Sequence, residues 1–140
     1  MLKTTVEEAN DIVSETLKTK DAVFHLERLR FADDDPMVYV HTYIPMHLYK
    51  DIHLHNFASD DTSLYDIMKN QYNHPIAYVD RTIEAKNATS EIASLLNIKK
   101  GMAIYTITTI AYDENDVPVE YSEAYYRGDR NKFSIRLVQQ

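Results

Sequence analysis

The chain of 140 residues contains no cysteine, no tryptophan and only two glycines. Without cysteine there is no disulfide frame, no thiolate metal site and no cysteine nucleophile. The two glycines stand apart, which excludes a glycine-rich phosphate loop and a Gly-x-Ser-x-Gly nucleophile elbow. No apolar run is long enough to span a bilayer and the start lacks a signal-peptide pattern. The cytoplasm is therefore the expected compartment, and no membrane partner is expected. Cations are also in deficit: 15 Lys and Arg against 22 Asp and Glu leave a net charge of -7. Such a surface repels nucleic acid, so any contact with DNA must come from another segment.

What is present is ordinary for one globular domain, with 44% hydrophobic and 26% charged residues. The aromatics are 11 Tyr and 4 Phe, and tyrosine suits half-buried strands and polar pockets alike. Residues 2–6 read as a short strand. Apolar spacing at Ile12, Val13, Thr16 and Leu17 predicts a helix over residues 9–18. A strand follows over 23–31, stopped by Asp33-Asp34-Asp35-Pro36, and a second over 37–44. Residues 46–61 read as an irregular connection with a helical turn. Thr62-Ser63-Leu64-Tyr65-Asp66 opens a helix to about Tyr72, with Ser63 and Asp66 at capping-box spacing. A strand is predicted over 76–85, then a helix over 88–96 capped by Asn87 and closed by Lys99-Lys100-Gly101. Strands follow over 102–112, from Pro118 toward Gly128, and over 133–138.

The order of elements repeats. Residues 5–43 and 82–125 each run strand, helix, strand, acidic turn with proline, strand. Val6 to Asn10 matches Ile83 to Asn87, and Pro36-Met37-Val38-Tyr39 matches Pro118-Val119-Glu120-Tyr121. Two β-α-β-β units predict an α+β fold, a mainly antiparallel sheet with helices packed on it.

Several side chains in this plan carry polar chemistry. On the strand from Pro118, Glu120, Ser122, Ala124 and Tyr126 share one face. Val119, Tyr121, Glu123, Tyr125 and Arg127 share the other. The first row suits a polar pocket or a solvated sheet face. Arg28 and Arg30 lie on the same face as Phe24 and Leu26. Two guanidiniums side by side repel each other, so they point to a shared anion or to acidic partners on the surface. Ser63, at a helix start, can cap its own helix and also favour an anion. The six histidines are scattered. His53-x-His55, with His41 and His47 upstream, lacks a third ligand at fixed spacing, and no metal site is expected.

Leu26-Glu27-Arg28-Leu29-Arg30-Phe31-Ala32-Asp33, Tyr43-Ile44-Pro45, Ser63-Leu64-Tyr65, Pro118-Val119-Glu120-Tyr121-Ser122 and Tyr126-Arg127-Gly128-Asp129-Arg130 together resemble the UTRA domain. That is the effector-binding domain of GntR-type transcription regulators of the HutC subfamily. The likeness runs over nearly the whole chain in order and spacing. It implies a chorismate-lyase-like fold, a homodimer, and a pocket for a small anionic metabolite, often a sugar phosphate, with no cofactor and no catalysis. In this likeness Arg28, Arg30 and Ser63 hold the phosphate, Glu120 and Tyr126 the sugar hydroxyls, and Tyr65 lines the same pocket. It also implies a repressor whose DNA contact is made by an N-terminal winged helix-turn-helix domain that residues 1–140 do not include. The family usually has glycine in both hairpin turns, where this chain has Asp34 and Asp116. A chorismate-lyase-like enzyme acting on an aromatic carboxylate is the alternative that the same arginines and glutamate leave open.

Overall fold

The computed structural model describes residues 2–57 and 63–139. Two β-α-β-β units follow one another along the chain. The first comprises β1 (Leu2–Glu8), α1 (Asp11–Leu17), β2 (Ala22–Ala32) and β3 (Asp35–Pro45). The second comprises β4 (Tyr78–Asn87), α3 (Ser90–Leu96), β5 (Ala103–Tyr112) and β6 (Pro118–Arg127). Between them lie a single 3-10 turn at Ile52–Leu54 and α2 (Leu64–Asn70). Among the described residues the strands form one six-stranded sheet in the order β1-β2-β3-β6-β5-β4, every neighbouring pair antiparallel. The predicted α+β class and the double β-α-β-β plan are therefore observed.

The two units are related about an axis through the middle of the sheet. The shift that carries Pro36 onto Pro118 carries Tyr39 onto Tyr121 and His41 onto Glu123. In the ladder, Tyr39 pairs with Tyr125 and His41 with Glu123, so His41 and Glu123 face each other across the pseudo-two-fold axis. Both hairpins also carry an extra residue. The register slips between Arg30 and Phe31 in one and between Ala111 and Tyr112 in the other, leaving Met37 and Val119 as bulges. The bulge turns Val119 out of the row expected for it. It packs instead with Ile44, Met68 and Ala111, away from Tyr121.

One face of the sheet carries α1 and α3. Val13 and Leu17 of α1 pack with Val23 and Tyr121, while Ile92 and Leu96 of α3 pack with Tyr39 and Ile104. Each helix thus rests partly on a strand of the other unit. Full burial of a leucine such as Leu96, wholly inaccessible here, contributes about 1.5–3 kcal/mol. On the other face, α2 and the connection before it cover one end. Tyr49, Ile52, Phe57, Leu64 and Met68 pack there on Phe24, Leu26 and Ile44. The expected irregular connection with one helical turn is found there, except that residues 58–62, Thr62 included, lie outside the described residues.

Local chemistry sets the helix ends. Asn10 Oδ1 accepts the Val13 N–H at 2.9 Å, and Ser63 Oγ accepts the Asp66 N–H at 3.3 Å, as the capping-box spacing predicts. The α3 cap is Thr89, whose Oγ1 accepts from Ile92 N, and not Asn87. Asn87 is the last residue of β4, paired with Ala103, so the ladder claims it before the helix begins. The repeat is correspondingly offset: Asn10 matches Thr89 rather than Asn87. Asn97 in the left-handed region closes α3, ahead of Gly101. In the first hairpin the left-handed residue is Asp33, not Asp34, and in the second it is Asp116, as expected.

Residues 133–138 do not form the expected strand. The apolar alternation is real, but the tail runs over the face of the sheet beside the cavity and finds no ladder partner among the described residues. Ile135 and Leu137 stay 76% and 89% exposed. Phe133 alone is drawn in, edge-on to Tyr105 and Tyr126 with ring centres 5.2 and 5.3 Å away.

Candidate effector site

The face of the sheet not covered by α1 and α3 is covered at one end by α2 and crossed at the other by the C-terminal tail. Between them lies a cavity of about 1120 Å³. Its floor consists of the residues that alternation turns to this side: Arg28 and Arg30 on β2, Val40 and Thr42 on β3, Glu120, Ser122 and Tyr126 on β6. Ser63 and Tyr65 at the start of α2 form one wall. All six residues singled out in the sequence, Arg28, Arg30, Ser63, Tyr65, Glu120 and Tyr126, therefore border one space. Residues that the sequence reading passed over also line it: Arg81 on β4, Thr109 on β5 and Lys132 in the tail. Arg81 did carry a signal. It lies between Val79 and Ile83 on one strand face, a cation in an apolar row, as Arg28 follows Leu26.

Polar contacts line the cavity. The Tyr65 hydroxyl donates to Glu120 Oε1 at 2.7 Å, and Arg81 Nε donates to Thr109 Oγ1 at 3.3 Å. Glu120 is only 4% exposed. Burial pushes its carboxyl above the usual range, against the Tyr65 hydrogen bond and the charges of Arg81 and Arg28. Burial and the Glu120 carboxylate push the Tyr65 phenol up in turn, while Arg81 pulls it down. Such a carboxyl accepts hydrogen bonds when ionised and can also donate one when protonated. Ser63 Oγ spends a lone pair on the cap, and its O–H remains a donor.

The charge of the cavity opposes that of the chain. Arg28, Arg30, Arg81 and Lys132 face one carboxylate, Glu120, among the described lining residues, in a protein of net charge -7. Low-dielectric walls lined by one sign of charge concentrate the field and draw in the opposite ion.

Residues 1–132 match the family described as UTRA domain. The chain belongs to the UTRA domain family. It is thus an effector-binding domain of the kind carried by GntR-family transcription regulators. It is 31% identical over 112 residues to the HTH-type transcriptional repressor NagR of Bacillus subtilis, covering 80% of this chain and 45% of that protein. It is 29% identical over 113 residues to a probable fructoselysine utilization operon transcriptional repressor of Escherichia coli, covering 81% and 46%. The chain spans about half the length of these relatives. A GntR-family transcriptional regulator of Enterococcus faecalis superposes with a TM-score of 0.86 at 30% identity, covering 96% of each chain. That all three are regulators does not favour the enzyme reading. Among the described residues no helix is long and apolar enough to cross a membrane.

Proposed function

We propose that the cavity of this UTRA domain binds a small anionic metabolite, a phosphorylated sugar in the first instance. Its occupancy then alters DNA binding by a winged-helix domain joined to this one in a homodimeric, cytoplasmic repressor of the HutC subfamily. One observation carries this reading: a chain with seven excess negative charges lines its cavity with four cations. Arg28 and Arg30 stand side by side on β2, where planar guanidinium forks suit the oxygens of a phosphate, and the Ser63 hydroxyl adds a neutral donor. Glu120, Tyr65 and Tyr126 supply mixed donors and acceptors for hydroxyl groups. Fructoselysine utilization, in the printed name of one relative, fits a sugar-derived ligand. A volume of about 1120 Å³ exceeds the upper end of the roughly 300–1,000 Å³ usual for small-molecule pockets, leaving room for more than a monosaccharide phosphate.

The test is a thermal-shift screen followed by calorimetric titration against sugar phosphates, the matching free sugars and small carboxylates. Ligand at a hundred times its Kd adds about 2.7 kcal/mol of stability. Stabilisation by phosphorylated sugars alone, lost in Arg28→Ala and Arg30→Ala, is the expected result. Full affinity in both variants rejects this cavity as the phosphate site. Release of 4-hydroxybenzoate from chorismate by the chain would restore the enzyme reading, and a monomer in sedimentation at micromolar concentration would remove the homodimer.

A further inference from the structure

Behind the cavity, on the face of the sheet that carries α1 and α3, β2 and β3 bring three ligating side chains together. His25 and Glu27 alternate along β2, and Glu27 pairs directly with His41 of β3. His25 Nε2 lies 2.8 Å from His41 Nδ1, and His41 Nδ1 lies 3.6 Å from Glu27 Oε1. The three donor atoms all fall within 4.8 Å of one another. Ligand atoms held tetrahedrally at about 2.0–2.1 Å from a zinc ion lie about 3.3 Å apart. The two short separations straddle that value, so an ion fits once the imidazoles part by about half an ångström.

The surroundings already orient these groups as ligands. Glu7 Oε1 lies 2.6 Å from His25 Nδ1. It accepts the Nδ1–H and leaves the Nε2 lone pair aimed at the cluster. The Tyr39 hydroxyl donates to Glu27 Oε1 and so fixes the carboxylate. Tyr43 stacks on His25 at 4.3 Å, and the Tyr39 ring meets His41 edge-on at 4.6 Å. A histidine held by a carboxylate and a carboxylate held by a hydroxyl are the supports that metal ligands use. All three donors come from paired strands, whose backbone spacing is set by the ladder. The side chains of His25, Glu27 and His41 are 12%, 14% and 23% exposed, so a hydrated ion can reach them from the side on which α1 and α3 lie.

We propose that His25, Glu27 and His41 form a binding site for one divalent transition-metal ion, with water completing the coordination. Two imidazoles and one carboxylate suit Zn2+, Ni2+ or Cu2+ and not Mg2+ or Ca2+. With His25 Nε2 as acceptor, His41 Nδ1–H donates to it in the metal-free chain; on metal binding that proton passes through solvent to Nε2 of His41, which frees the Nδ1 lone pair for the ion. The site ties β2 to β3 directly behind Arg28, the next residue along β2 from Glu27, and it does not depend on what the cavity binds.

The test is titration of the metal-free chain with Zn2+ against a chromophoric chelator, and with Co2+ followed by visible absorption. One ion per chain is expected, with the intense Co2+ bands of a tetrahedral site. His41→Ala and Glu27→Gln should each weaken Zn2+ by about 100-fold or more, and Glu7→Gln by roughly 10-fold, because it only orients His25. The double substitution His53→Ala and His55→Ala should leave binding unchanged. The proposal is overturned by sub-stoichiometric binding, by the weak Co2+ spectrum of the hydrated ion, by full affinity in His41→Ala, or by loss of binding in the His53–His55 variant. The first two readouts need only the native chain, so they stand even if a variant fails to fold.

Discussion

Arg81 reaches the cavity from an edge strand, where its guanidinium is tied to Thr109 and acts on Tyr65. If the pocket holds an anion, hydrogen bonds from this charge are each worth about 1.5–3 kcal/mol. Arg81→Ala should therefore weaken a phosphorylated ligand by roughly 10- to 150-fold, and Arg81→Lys by less, since it keeps the charge but loses the fork. Calorimetric titration of the two variants checks this; equal affinity in both and in the native chain would remove Arg81 from the site. Glu120 offers a test by pH. Its carboxyl is raised by burial, so the folded chain binds that proton more tightly than the unfolded one. Its contribution to stability is greatest below the ordinary carboxylate range and falls as pH rises through the window up to the raised value. Glu120→Gln should flatten that part of the stability profile in urea unfolding, and Tyr65→Phe, which removes a hydrogen bond to the carboxylate, should extend it to higher pH. Arg28, Arg30, Ser63, Glu120 and Tyr126 were legible because strand alternation and a helix start place them, whereas Tyr65 came only from the likeness to the UTRA domain. Arg81 was harder to see because its partner Thr109 comes from β5, a pairing that only the sheet provides.

Among the elements, the β5–β6 hairpin hangs on Asp113. Its Oδ1 accepts from Asn115 N at 2.9 Å and Val117 N at 3.0 Å, and its Oδ2 from His74 Nε2 at 2.8 Å. Burial works to raise this carboxyl, but these hydrogen bonds outweigh it and hold it below the usual range. A depressed acid stabilises the fold above its unfolded value, and that stability is lost as pH falls through the folded value. Asp113→Ala should cost about 1–3 kcal/mol near neutral pH and remove part of the acid limb of the unfolding curve, including the link from the hairpin to the segment after α2. An unchanged acid limb in chemical denaturation would show that other carboxylates set it. The hairpin's existence was readable from Asp113 to Pro118. That Asp113 organises it through His74 was not, because His74 is distant in sequence and arrives only when the segment after α2 folds back. Residues 133–138 fail in the opposite sense. Their alternation fits a strand, but a strand needs a partner to pair with, and alternation carries no information about partners.

For the molecule as a whole, the two β-α-β-β units do not stand side by side as independent halves. Leu17 of α1 packs with Tyr121 of β6, and Leu96 of α3 with Tyr39 of β3, so each unit completes the core of the other. Leu17→Ala should cost about 2–5 kcal/mol and lower one common transition, with tyrosine fluorescence and far-ultraviolet circular dichroism changing together. Separate transitions would show that the units fold apart. The same interlocking places the cavity and the His25–Glu27–His41 cluster back to back on one sheet.

The order of residues by itself determined the class of fold, the repeat and which side chains share a face of each strand, because periods of two and 3.6 and a proline-bearing turn are local properties. It also determined that any anion site must be a small basic island in an acidic chain. Only the tertiary structure decided which tyrosine meets Glu120, that Arg81 joins Arg28 and Arg30, that Val119 bulges into the core, and that His25, Glu27 and His41 converge. Each of those depends on which strand lies beside which, and strand neighbours are chosen by packing across the whole sheet rather than by spacing along the chain.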